Sequence, residues 1–192
     1  MMDIVVSIVI LVITAPISLF ISLIIKLTSD GSVLFFQKRS GKNGKVFKII
    51  KFRTMISGAD KFQKKYKDLN ESDGPVFKIR NDPRFTTFGK ILSNTGLDEL
   101  PQFINVLKGD MSIVGPRPLP VEEAGKLSIT QKIRESINPG ITSNWVVQGS
   151  HKMKFNEWMK LDCEYVRSAS FFSDISIMLQ TVLLIVHFIL ML

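Results

Sequence analysis

Residues 4–25 carry no charge, and a second apolar run occupies residues 175–192. The first is long enough to cross a bilayer as a helix. Pro16 near its middle withholds a backbone donor and crowds the carbonyl of Val12, which predicts a kink. The hydroxyls of Thr14, Ser18 and Ser22 are close enough to partner a freed carbonyl. The pattern suits a spanning helix and a re-entrant hairpin equally. A secretory signal fits poorly, because Asp3 and no cation precede the run and no small-residue cleavage site follows. The second run, interrupted by Ser176, Gln180, Thr181 and His187, reads as a borderline span.

Between these runs the period changes. Residues 33–36 and 46–52 are β-prone and flank a turn at residues 40–44, which predicts a β-hairpin. Residues 59–69 read as a charged helix and residues 71–75 as a break. Residues 97–109 predict a short amphipathic helix with Leu100, Phe103, Ile104 and Leu107 on one face and Gly109 as its stop. The predicted fold is α+β, mostly helical. An N-terminal membrane helix (1–28) precedes a catalytic-sized domain (29–174), and an apolar helix (175–192) follows.

Charge sharpens this division. Of 25 Lys and Arg, all but Lys26 lie between Lys38 and Arg167, while the total is +8 over 192 residues. The basic stretch after the first run places the middle domain in the cytoplasm by the positive-inside rule, and it suits contact with anionic headgroups. Apolar content of 45% excludes a disordered chain. A single cysteine, Cys163, excludes an internal disulfide and reads as a core residue. His151 and His187 are too few for a histidine metal site. Trp145 and Trp158 suit headgroup anchoring and core packing equally. No nucleic-acid fingerprint accompanies the basic charge, so no nucleic-acid partner is expected.

Several residues carry candidate chemistry, each with a plainer reading beside it. Lys51 and Arg53, at the end of the hairpin, are either site cations or an exposed basic edge. Arg80-Asn-Asp-Pro-Arg84 is a stiff turn, because Pro83 excludes the α region for Asp82; it is either structural or an anion site. Asp98 suits a helix N-cap with Glu99 in the first turn. Pro101 leaves that cap few amides, so the carboxylate is freer than most for a metal or for attack, although adjacent carboxylates are more often caps than catalysts. Arg117 sits between two prolines, a setting that either fixes a guanidinium for bidentate phosphate contact or is a rigid linker with a solvated arginine.

Read together, KFRTM (51–55), RNDPRFTTFGKIL (80–92), LDELPQFINVLKGDMSIVGPRP (97–118), PGIT (139–142), LDCEYV (161–166) and SDISI (173–177) resemble the bacterial sugar transferase family, the small monotopic polyprenyl-phosphate phosphoglycosyltransferases. The resemblance implies transfer of a sugar-1-phosphate from a UDP-sugar to undecaprenyl phosphate, with release of UMP and Mg²⁺ as cofactor. Asp98 matches the family's nucleophile, which forms a covalent phosphosugar intermediate and meets the metal, and Glu99 matches its dyad partner. Lys51, Arg53, Arg80, Asp82, Arg84 and Arg117 fall in the matching polar-site motifs. The resemblance also implies a monotopic protein of the bacterial inner membrane facing the cytoplasm, with a re-entrant helix broken at Pro16 and interfacial amphipathic helices. Whether it forms a homodimer stays open.

Three positions depart from the family pattern: Ala15 precedes Pro16 where serine is common, Ser93 replaces an arginine, and Gly96 replaces a serine. Ser93 and Gly96 motivate an alternative, a catalytically silent scaffold for glycan-assembly enzymes.

Overall fold

The computed structural model describes residues 2–149 and 153–190; His151 and the last two residues of the C-terminal run lie outside them. Helix α1 (Met2–Thr28) is followed by strands β1 (Leu34–Ser40) and β2 (Val46–Phe52), then α2 (Thr87–Thr95) and α3 (Gln102–Leu107). After these come β3 (Ser112–Val114), α4 (Val121–Ala124), β4 (Gly140–Thr142), α5 (Asn144–Val147), α6 (Phe155–Ser168) and α7 (Phe171–Leu190).

The predicted hairpin is present. β1 and β2 pair antiparallel from Leu34↔Phe52 to Ser40↔Val46, turning through Asn43 at φ 54° and Gly44 at φ 73°. The sequence pattern did not reveal the short parallel pair β3–β4, Ser112↔Gly140 and Val114↔Thr142, which links GDMSIVGPRP to PGIT. Three-residue strands are too brief to show a period. The charged helix expected over residues 59–69 is instead two 3₁₀ segments, Ala59–Phe62 and Lys64–Leu69.

Helix α1 is unbroken, with Pro16 inside it and on its exposed face. The expected break is therefore not an interruption of the helix. Nor do the nearby hydroxyls turn to Val12: Thr14 donates to the carbonyl of Ile10 and Ser22 to that of Ser18, each at 2.7 Å. One stripe of α1 faces the domain along its whole length. Val6, Ile10 and Leu11 pack on a core built from β2, α3 and β3, and Ile21 and Ile25 are buried with Phe52 and Leu92. The helix is pinned at both ends. Ser112 donates to Asp3 Oδ2 at 2.7 Å, while Arg53 bonds the carbonyls of Asp30 (2.6 Å) and Ser29 (2.9 Å) at the other end. A cation there also complements the helix dipole.

The remaining face of α1 is apolar and exposed, as is most of α7. Of the predicted apolar face, Phe103 is buried in the core and Leu100 packs against it, whereas Ile104 and Leu107 are exposed and polar Gln102 and Asn105 are buried beside Val106. The periodicity located the helix and half of its inward face; the other half goes to Gln102 and Asn105.

Candidate active site

The chain reaches Asp98 through a left-handed residue. Gly96 ends α2 and begins the 3₁₀ turn Leu97–Glu99 at φ 72°, a conformation in which glycine is least strained. The departure from serine is thus locally suited. Ser93 makes no side-chain hydrogen bond among the described residues. Asp98 caps nothing: the turn has no side-chain cap, and α3 starts behind Pro101 without one. This corrects the capping expectation and leaves a buried carboxylate without that structural task.

Its neighbours are cations. Lys51, one residue before the end of β2, donates to Glu99 Oε1 at 2.6 Å and stands 3.7 Å from Asp98 Oδ2. Arg117 donates to the same Glu99 oxygen at 2.7 Å. Burial pushes the Asp98 carboxyl up to about 6, with Lys51 opposing and Glu99 reinforcing the rise. Burial also acts on Glu99, but Arg117 and Lys51 together outweigh it and hold that carboxyl well below the usual range.

Arg117 is itself held. Its carbonyl accepts from Arg134 at 2.6 Å and that of Pro118 from Arg39 at 2.8 Å. Arg134 is buried against Asp162 at 2.7 Å, within the LDCEYV segment. The guanidinium of Arg117 lies 5.7 Å from the ring centre of Trp145, over which Lys78 also sits at 5.4 Å. Trp145 stacks on Trp158 with ring centres 4.4 Å apart, which decides for core packing over headgroup anchoring. Burial and the proximity of Arg117 lower Arg39 to about 10 and also lower Lys78, so positive charge is concentrated here.

Three sequence candidates thus converge with Asp98, namely Lys51, Glu99 and Arg117. The others have different surroundings. Arg53 is buried and spent on the end of α1, so neither it nor Lys51 is an exposed edge. Arg84 forms a buried bidentate pair with Asp82, Nε to Oδ1 at 2.9 Å and Nη2 to Oδ2 at 2.6 Å. Arg80 is exposed, its amide bonded to Glu71. Cys163 is half-buried, near the carbonyl of Thr130, and is not a core residue. Sequence reasoning missed Arg39, Lys78, Arg134 and Asp162; membership of Asp162 in LDCEYV was the only signal.

Among the described residues there is no cluster of three or more metal-ligating side chains. Glu99 Oε2 and the Asp98 carboxylate make no hydrogen bond to another side chain there. Mg²⁺ commonly takes one or two carboxylates together with substrate phosphates, and this donor set fits that habit.

Comparison with known proteins places the chain in a family. A sequence model of the family described as bacterial sugar transferase matches residues 1–188. The chain is 46% identical over 152 residues to the galactosyl transferase CpsE of Streptococcus agalactiae, covering 79% of this chain and 34% of that protein. It is 40% identical over 189 residues to the UDP-glucose:undecaprenyl-phosphate glucose-1-phosphate transferase of Escherichia coli, covering 94% and 38%. It is 33% identical over 184 residues to the exopolysaccharide production protein ExoY of Rhizobium meliloti, covering 94% and 81%. The chain therefore spans only a little over a third of the length of two of these relatives and most of the third. With the family match running almost end to end and ExoY aligned over most of its own length, the chain belongs to the bacterial sugar transferase family.

Proposed function

We propose that the protein transfers a sugar-1-phosphate from a UDP-sugar to undecaprenyl phosphate, through a covalent intermediate on Asp98. The observation that carries this reading is the split between two adjacent carboxylates. Glu99 takes both cations on one oxygen, whereas Asp98 is buried, uncapped and raised to about 6. At neutral pH such a group is ionised and more basic than an ordinary aspartate, which favours attack on phosphorus.

In the first half-reaction an Asp98 oxygen attacks the sugar-bearing phosphorus, the phosphoanhydride bond breaks, and UMP leaves with the electron pair. In the second, a phosphate oxygen of the lipid attacks the same phosphorus and frees Asp98. Two steps avoid direct approach of two strongly anionic substrates, and Arg117 and Lys51 offset the charge on the phosphoryl oxygens. Asp98 and Glu99 Oε2 would hold Mg²⁺, which supplies further charge neutralisation at the diphosphate.

The lipid acceptor requires the site to sit at a bilayer. Support comes from the exposed apolar faces of α1 and α7 and from the pinning of both ends of α1 to the same domain. Those contacts favour attachment from one leaflet, re-entrant or in-plane, on the cytoplasmic side of the inner membrane.

The test is UMP release by the nanodisc-held protein with Mg²⁺, undecaprenyl phosphate and a panel of UDP-sugars. Release with one sugar, lost in Asp98→Asn, is expected. Silence across the panel, with no phosphosugar adduct on Asp98 in cell extract, would remove this reading in favour of a scaffold.

A further inference from the structure

Asp98, Gln102 and Asn105 recur at i, i+4 and i+7, so they share one face of the segment that begins at the dyad and continues as α3. All three are buried, at 6, 2 and 1% exposure. A buried polar stripe costs stability unless its groups are bonded, so its partners reveal what it does. Among the described residues Gln102 Nε2 has no hydrogen-bond partner, so it ties the helix to none of them. Asn105 is different. Its Oδ1 accepts from the amide of Ile50 at 3.0 Å, and its Nδ2 donates to the carbonyl of Lys48 at 2.8 Å.

Both partners lie on β2. That strand pairs with β1 along one edge, where Lys48 stands opposite Lys38 and Ile50 opposite Phe36. On the other edge the Asn105 carboxamide takes one donor and one acceptor, as a neighbouring strand would. Two such bonds to residues two apart fix the position of α3 along β2. A slip of one residue would move the helix by about 3.3 Å and turn the strand's side chains to the opposite face. Lys51 follows Ile50 directly, and Glu99 precedes Asn105 by six residues.

We propose that Asn105 is a positioning residue, which sets the register of α3 on β2 and thereby holds Lys51 against Asp98 and Glu99. It acts through Lys51 and touches no reacting atom. The proposal rests on the functional reading above for its catalytic consequence, but its geometric claim is separable.

The experiment compares Asn105→Leu, which keeps side-chain size and removes both bonds, with Val106→Ala, a cavity in the same helix that leaves the edge of β2 untouched. The first measurement is the rate of reductive methylation at Lys51 in the nanodisc-held protein, read by mass spectrometry. Release of Lys51 from its ion pair is expected to raise that rate by about tenfold in Asn105→Leu and to leave it unchanged in Val106→Ala. With an active UDP-sugar, kcat is expected to fall by about 10- to 100-fold in Asn105→Leu while KM stays near wild type. A Lys51 rate equal to that of Val106→Ala, or a kcat equal to that of Val106→Ala, would overturn the proposal. Should Asn105→Leu not fold, Asn105→Asp retains the acceptor for Ile50, and a folded Asn105→Asp with wild-type Lys51 reactivity overturns it as well. If wild type turns over no UDP-sugar, the functional reading falls while the Lys51 measurement still decides this one.

Discussion

Asp98 and Glu99 are consecutive in the chain, yet their carboxyls are driven to opposite sides of the ordinary range. Burial raises Asp98 to about 6, whereas Arg117 and Lys51 hold Glu99 far below its usual value despite its burial. The cause is geometric: both cations donate to Glu99 Oε1, at 2.6 and 2.7 Å, and the nearer approach to Asp98 is 3.7 Å. Glu99 anchors both cations; Asp98 accepts a hydrogen bond from neither.

The pH dependence of turnover follows from this split. Attack requires ionised Asp98, so kcat/KM for the UDP-sugar is expected to rise with pH through an acid limb near 6 and to level off above it. Glu99 contributes no limb in this window, because it is ionised throughout. A steady-state profile between pH 4.5 and 8 checks this, and flat kcat/KM below 5.5 would contradict it.

The same burial has a cost in stability. The folded-state value of about 6 lies above the ordinary 3.8. Below 3.8 both states are protonated and the group is neutral to stability. As pH rises from 3.8 to 6 the unfolded chain loses its proton first, so stability falls, and the penalty is constant above 6. Asp98→Asn removes that penalty. It is expected to be inactive and, at pH 7, more stable than wild type by about 1–3 kcal/mol. Thermal unfolding of both proteins at pH 4 and 7 checks the sign: the gap should widen with pH.

Asp82 and Arg84 were candidates for phosphate contact, and their geometry predicts a different phenotype. Their side chains are 4 and 7% exposed and bonded to each other through both carboxylate oxygens. Replacing Asp82 by Ala leaves a buried guanidinium without its partner, which costs about 3–5 kcal/mol. Poor yield and a lowered unfolding temperature are expected, with an unchanged KM for UDP-sugar in the folded fraction. A raised KM at wild-type stability would restore the phosphate role.

What the sequence disclosed depended on whether local chemistry or tertiary context decided the outcome. The hairpin was legible because Asn43 and Gly44 supply the positive φ its turn needs, between two β-prone runs. The dyad was legible through its motif, as was Arg117 between its prolines. The inward face of α3 was legible only in part: Phe103 is buried as its spacing implies, whereas Ile104 and Leu107 point away from the core and Asn105 is satisfied by a strand edge over 50 residues earlier. Arg53 and Arg84 looked like site cations because sequence shows a charge and not the group that already occupies it. Arg39 and Arg134 were passed over for the converse reason: their partners, the carbonyls of Pro118 and Arg117, are invisible in any side-chain pattern.

The clamp at the end of α1 can be loosened without touching a charge. Gly31 has φ 113°, and a Cβ there would lie 2.3 Å from Arg53 Nη1. Gly31→Ala therefore combines backbone strain with displacement of the guanidinium that caps Ser29 and Asp30, a cost of about 1–3 kcal/mol. Faster proteolytic cleavage in residues 29–33 is expected, with little change in the core. Cleavage at the wild-type rate would show that Arg53 does not hold this end.

Attachment from one leaflet makes a separate demand on the N-terminus. A helix of 27 residues is about 40 Å long, enough to cross a bilayer, and length alone does not decide its course. The contacts do bear on it. Ser112 bonds Asp3 at one end, Arg53 bonds Ser29 and Asp30 at the other, and both donors belong to the domain that carries Asp98. If that domain stays in the cytoplasm, Asp3 must be cytoplasmic too. In a Cys163→Ser background, Asp3→Cys should resist a membrane-impermeant maleimide applied to the periplasmic face of spheroplasts and react in inverted vesicles. A cysteine at Lys126, on the domain, provides the cytoplasmic reference. Labelling of Asp3→Cys from the periplasmic side, with Lys126→Cys protected, would establish a crossing helix and break the contact between Asp3 and Ser112.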